Sequence, residues 1–98
     1  MVTRVEWTDT AVNRYREIIF YYKQHEAKNA ALLFEKNVFS KIDRLKNYPT
    51  IGRKSKIFKT VRAVNIDSNR QMSYRVNGKT LYICNFWDLR QNSQNRPF

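Results

Sequence analysis

Acidic residues are scarce in this 98-residue chain, where 8 Asp and Glu stand against 19 Lys and Arg. A single cysteine, Cys84, excludes an internal disulfide and agrees with a reducing compartment. Set in "LYICNFW", it reads as a small structural thiol. Only two glycines and two prolines occur, which excludes long flexible linkers and leaves regular structure to fill most of the chain. No apolar run approaches the roughly 20 residues that span a bilayer. The opening "MVTRVEWTDT" lacks the apolar segment of a secretory signal, so the expectation is a cytoplasmic protein with no membrane association. A second core would be too small at this length, and residues 1–98 are expected to form one domain.

Apolar residues make up 42% of the chain and aromatics 14%, enough for one packed core. The net charge of +11 is unevenly spread: residues 1–52 carry a net +3 and residues 53–98 a net +8. Such asymmetry repels itself unless a polyanion or an acidic protein covers one side. The stretch "NYPTIGRKSKIFKTVR" concentrates the excess, with Arg53, Lys54, Lys56, Lys59 and Arg62 and no carboxylate. A charge run is usually a solvated surface, but solvated loops ordinarily mix their signs. An anionic partner is therefore expected here: nucleic acid, the nucleic-acid-rich surface of a target, or an acidic protein segment.

"VTRVEW" alternates as a short strand does, and "TDTA" offers Thr8 or Asp9 as a helix N-cap. Ala11, Val12, Tyr15, Ile18, Ile19 and Tyr22 then recur at helical spacing up to about His25. After the polar break "HEAKNA", a second helix carries Ala31, Phe34, Val38, Ile42 and Leu45 as its apolar stripe and stops before Pro49. Phe20, Tyr21 and Tyr22 are more aromatics than one stripe can bury, so at least one should face outward, against the second helix or as an interface. "TVRAVNI" reads as a strand, "DSN" as a turn and "QMSYRV" as a strand with one solvated face. Asn77-Gly78 suits a two-residue hairpin loop, and "TLYICNFW", lacking alternation, reads as a strand buried on both faces. The tail "DLRQNSQNRPF" is polar and expected to be irregular. The order β-α-α-β-β-β predicts an α+β fold, an antiparallel sheet with a helical hairpin on one face.

These segments resemble the RelE/ParE superfamily of toxins from type II toxin–antitoxin modules. The resemblance is carried by "VEWTDTA", "LKNYPTIGR", "VRAVNI", "SYRVNGKTLYI" and "NFWDLRQN", in that order and nearly end to end. It implies a small basic protein that arrests growth and is neutralised by a cognate acidic antitoxin, meeting operator DNA through the antitoxin complex. Within the superfamily, ParE-like members inhibit DNA gyrase. RelE-like members are ribosome-dependent mRNA endonucleases that work without metal or cofactor, often with a tyrosine or histidine near the C-terminus.

Cleavage of RNA beside a 2′-OH needs a proton acceptor, cations around the phosphate and an acid for the leaving oxygen. By motif, Lys59, Arg62, Arg70, Arg75 and Arg90 fall near the basic positions of the ribonuclease members, and Arg62, Arg70 and Arg90 would serve as catalytic cations if the chain cut RNA. Proton carriers are harder to find. His25 ends the first helix, Tyr74 and Tyr82 lie in strands, Asp88 is placed to pair with Arg90, and the tail holds neither tyrosine nor histidine. The reading is therefore a ParE-like toxin acting on gyrase, with Arg53, Lys54, Lys56, Lys59, Arg62, Arg70, Arg75 and Arg90 as target-binding residues. The alternatives are a RelE-like endonuclease and a non-catalytic nucleic-acid-binding homologue.

Overall fold

The computed structural model describes residues 2–90. Strand β1 (Arg4–Trp7) leads into helix α1 (Asp9–Gln24) and helix α2 (Lys28–Asn47); strands β2 (Arg53–Lys54), β3 (Val61–Asn65), β4 (Arg70–Asn77) and β5 (Thr80–Asp88) follow. Thr8 is the N-cap of α1: its Oγ1 accepts from the Ala11 amide at 3.1 Å and donates to the Cys84 carbonyl at 2.9 Å. One hydroxyl thus both starts the helix and ties it to β5. At the other end the chain turns through Glu26 at φ 52°, with Ala27 N–H bonded to the Tyr22 carbonyl and Glu26 N–H to that of Lys23. That bonding pattern usually has glycine at the left-handed position. Helix α2 stops ahead of Pro49, as expected.

The α+β architecture holds, with two helices on a five-stranded sheet of order β1-β5-β4-β3-β2. The sheet differs from the all-antiparallel expectation in two ways. β1 pairs parallel to β5, Arg4 opposite Thr80 through Trp7 opposite Ile83, because the helical hairpin carries the chain back over the sheet before β5 is laid down. The basic loop also contributes a fifth strand, β2, whose Arg53 and Lys54 pair antiparallel with Ala63 and Arg62.

The missing alternation in β5 has a local cause. Ser73 faces Asn85 but Tyr74 faces Ile83, so Cys84 is an extra residue and the strand changes phase there. Leu81 and Ile83 point into the core before the bulge, Phe86 after it, while Tyr82, Asn85 and Trp87 are only half-buried. The solvated face expected for β4 holds only towards its end, at Arg75 and Asn77: Gln71 and Ser73 are buried at the centre of the sheet, beside Asn65, Asn85 and Trp87 of the flanking strands. The β4–β5 loop is Gly78-Lys79, one residue later than expected, with Gly78 at φ 61° and Asn77 paired to Thr80. Asp67 shapes the β3–β4 turn by accepting from the Asn69 and Arg70 amides.

Phe34, Val38 and Leu45 of α2 pack with Met72, Tyr74, Leu81, Ile83 and Phe86 of the sheet. Trp7, Tyr15, Phe34 and Phe86 form a connected aromatic cluster, with Trp7 edge-on to Tyr15 at 5.3 Å. Phe20 and Tyr21 are the outward-facing members of the aromatic run, whereas Tyr22 is half-buried. Of the tail expected to be irregular, Asp88 instead closes β5 and Leu89 and Arg90 form a turn, while residues 91–98 lie outside the described residues.

Candidate nucleic-acid and target interface

The basic stretch is held in place by one buried phenol. Tyr74, fully buried in β4, donates its hydroxyl to the Pro49 carbonyl at 2.7 Å and accepts from the Gly52 amide at 3.0 Å. Gly52 has to be glycine there, since a Cβ would come within 2.5 Å of that hydroxyl and 2.9 Å of the Ala63 carbonyl. Arg62, opposite Tyr74, donates through Nη1 to the carbonyls of Thr50 and Gly52 at 3.1 and 2.9 Å. The segment from Pro49 to Gly52 is therefore fastened by two β-sheet side chains before β2 begins.

Around this clamp lies a hollow of about 390 Å³ lined by Lys54, Lys59, Arg62 and Arg75, with Tyr74 in its wall and no carboxylate among its lining residues. Arg75 is braced by the Tyr82 ring, its guanidinium carbon 4.1 Å from the centroid. A neighbouring hollow of about 360 Å³ borders the same connecting segment and is lined by Arg53 together with Lys41 and Arg44 of α2. The ion pairs among the described residues are Arg4–Glu6, Arg14–Glu17, Asp43–Lys46 and Asp88–Arg90, and none neutralises a cation of either hollow. Seven cations gathered without counter-charge produce a field that attracts phosphate or carboxylate groups and weakens as salt rises.

Four of the residues expected at the interface, Lys54, Lys59, Arg62 and Arg75, thus meet in one hollow, and Arg53 lines its neighbour. Lys56 is exposed in the loop between β2 and β3. Arg70 and Arg90 do not join them. Arg70 is only 6% exposed: it donates to the Tyr22 hydroxyl at 2.7 Å and lies over the rings of Tyr22 and Phe34. Arg90 makes a two-point contact with Asp88, at 3.1 and 3.0 Å, and its hydrogen bonds hold the Asp88 carboxyl below the usual carboxylate range. Arg62 sits opposite Tyr74, four residues along β4 from Arg70, so the two are roughly 13 Å apart along the strand. Lys41 and Arg44 escape a reading of the loop alone. Their signal is the three-residue spacing on α2, which places both on one flank of the helix just ahead of the basic segment.

The phenol in the wall of the hollow is poorly placed to exchange a proton. Burial pushes the Tyr74 phenol above its ordinary value, against the opposing pull of the Gly52 hydrogen bond and the Arg62 charge. Its oxygen is already engaged on both sides. Burial likewise raises the Cys84 thiol. His25 lies at the α1 C-terminus, its Nδ1 2.9 Å from the Tyr21 carbonyl and its ring against that of Tyr21. Among the described residues no group of three His, Cys, Asp or Glu is arranged to hold a metal, and no helix is long and apolar enough to cross a membrane.

Two helices on a five-stranded mixed sheet match the architecture of ParE-like toxin structures. The family described as ParE toxin of type II toxin-antitoxin system, parDE, matches residues 5–92, and the chain belongs to that family. Among solved structures the chain is similar to one titled chromosomal ParDE TA system from P. aeruginosa. That match has 18% identity, a TM-score of 0.73, and covers 91% of this chain and 98% of that one. A YoeB/ParE toxin from Agrobacterium tumefaciens shares the fold at 16% identity and a TM-score of 0.67, covering 88% and 98%. No curated protein matches the chain significantly.

Proposed function

We propose that this ParE-family toxin arrests growth by interfering with DNA gyrase, and that a cognate acidic antitoxin relieves the arrest. The observation that carries the gyrase reading is the state of Tyr74. The one phenol lining the cationic hollow spends its hydroxyl on the Pro49 carbonyl and the Gly52 amide, so it is not free to carry a proton for the cations around it. An endonuclease would also draw Arg62, Arg70 and Arg90 to one phosphate, whereas Arg62 lines the cationic hollow, Arg70 lines a separate one beside Asp88, and Arg90 is paired with Asp88. A site rich in cations and poor in acid–base groups is suited to holding an anionic surface, not to cutting it.

The antitoxin reading is supported by a second feature. Tyr15, Ile19 and Phe20 of α1 line an apolar groove rimmed by Arg16 and Lys23, and Phe20 is 61% exposed. An apolar floor with a cationic rim suits an acidic amphipathic segment, and operator DNA would be met through that complex. The test is induced expression followed by two target assays. Growth arrest, loss of supercoiling by purified gyrase and intact messages are expected. Codon-phased cuts in cellular messages, with supercoiling unaffected, would replace this reading with the endonuclease one, and normal growth would leave neither standing.

A further inference from the structure

The loop joining β2 to β3 ends in two apolar side chains that the fold does not use. Ile57 is 67% exposed and Phe58 56% exposed, with Lys56 and Lys59 on either side of them in the sequence. The tip is shaped: Ser55 Oγ accepts from the Ile57 and Phe58 amides at 3.1 and 2.9 Å, the Val61 amide donates to the Phe58 carbonyl, and the Ser55 amide to that of Val61. Phe58 is the chain neighbour of Lys59, which lines the larger cationic hollow, and the second hollow borders the root of the same loop.

We propose that this loop is a wedge for duplex nucleic acid: Ile57 and Phe58 enter a base step while the two hollows take phosphates. A protruding apolar pair flanked by unneutralised cations fits a duplex in a specific way. Apolar side chains are inserted between base steps by proteins that kink DNA, and the cost of unstacking is offset by the backbone contacts that flank the step. A duplex presents two rows of phosphates with a groove between them, so cations of both hollows can be engaged at once, whereas a single strand presents one row. A lipid surface is flat and offers nothing to fill hollows recessed at the loop's root. Such a contact does not require gyrase to be the target, so the growth and supercoiling assays above can fail while it stands, and the reverse.

The test uses the full chain, made by cell-free synthesis, and a short labelled duplex carrying 2-aminopurine at a TA step. Binding should fall with salt at a log–log slope of about −4 to −6, as expected for four to seven phosphate contacts. The 2-aminopurine signal should rise as the step opens. Ile57→Ser with Phe58→Ser should weaken binding about tenfold or more and abolish that rise, at an unchanged salt slope and melting temperature. Lys54→Gln with Lys59→Gln should instead flatten the slope by about 2. Duplex binding by the apolar double variant equal to that of the parent would overturn the proposal. So would an unchanged 2-aminopurine signal, or retention on anionic vesicles or on the single strand with no affinity for the duplex.

Discussion

Replacing Tyr74 with phenylalanine removes one oxygen and leaves the ring in the core. That oxygen links β4 to both Pro49 and Gly52 of the segment leading to the basic loop. Without it the Gly52 amide, on a buried residue, loses its acceptor, at a cost of about 1–3 kcal/mol. The Pro49 carbonyl is partly buried and loses less, so the total should be about 2–3 kcal/mol. In a domain of this size that corresponds to a fall in melting temperature of roughly 10–20 °C. Chemical denaturation should show a lower midpoint with an unchanged m-value. The pH dependence carries a second signature. Burial raises the phenol's pKa on folding, so its contribution is present below the ordinary value of 10.0 and is lost as pH rises through the folded value. Tyr74→Phe should therefore flatten the alkaline limb of the stability curve without erasing it, because Tyr15 is shifted the same way. Growth arrest should persist at temperatures where the variant is folded. Loss of toxicity with unchanged stability would refute the reasoning, since it would make Tyr74 a proton carrier and not a clamp.

Other outcomes follow from single contacts. Glu26→Gly relieves a left-handed backbone that glycine adopts freely and should stabilise the domain by about 0.5–1 kcal/mol in denaturant melts. Arg70→Ala removes a buried guanidinium from two aromatic rings and leaves the Tyr22 hydroxyl without its partner. It should cost about 2–4 kcal/mol, so a loss of toxicity in this variant has to be read against its melting curve. Gly52→Ala forces a Cβ against the Tyr74 hydroxyl and should destabilise by about 1–3 kcal/mol, part of which Tyr74→Phe in the same chain should restore.

The helices were legible because their apolar residues recur at helical spacing and their ends carry Thr8 and Pro49. The β4–β5 hairpin was legible to within one residue from Gly78. Local patterns say nothing about which distant strand pairs with which, so the parallel β1–β5 pairing was hidden, as was the two-residue β2. The Cys84 bulge erased the alternation that would have marked the inner face of β5. For the candidate site, the charge of the loop was visible but its assembly was not. Arg70 and Arg75 are an odd number of residues apart on β4, so strand alternation alone sends them to opposite faces, and packing by α1 and α2 then buries Arg70. The same packing delivers Lys41 and Arg44 to the loop from another element.

The central claim is that the cations of the larger hollow, taken together, engage the anionic target. Its most direct test compares growth on induction of two triple variants that lose equal charge. Lys54→Gln, Lys59→Gln and Arg75→Gln empty the hollow of three of its cations, whereas Lys28→Gln, Lys36→Gln and Lys79→Gln remove exposed lysines that line neither hollow. Cells carrying the first set should grow and cells carrying the second should arrest, with both proteins folded. Equal toxicity of the two sets would contradict the account.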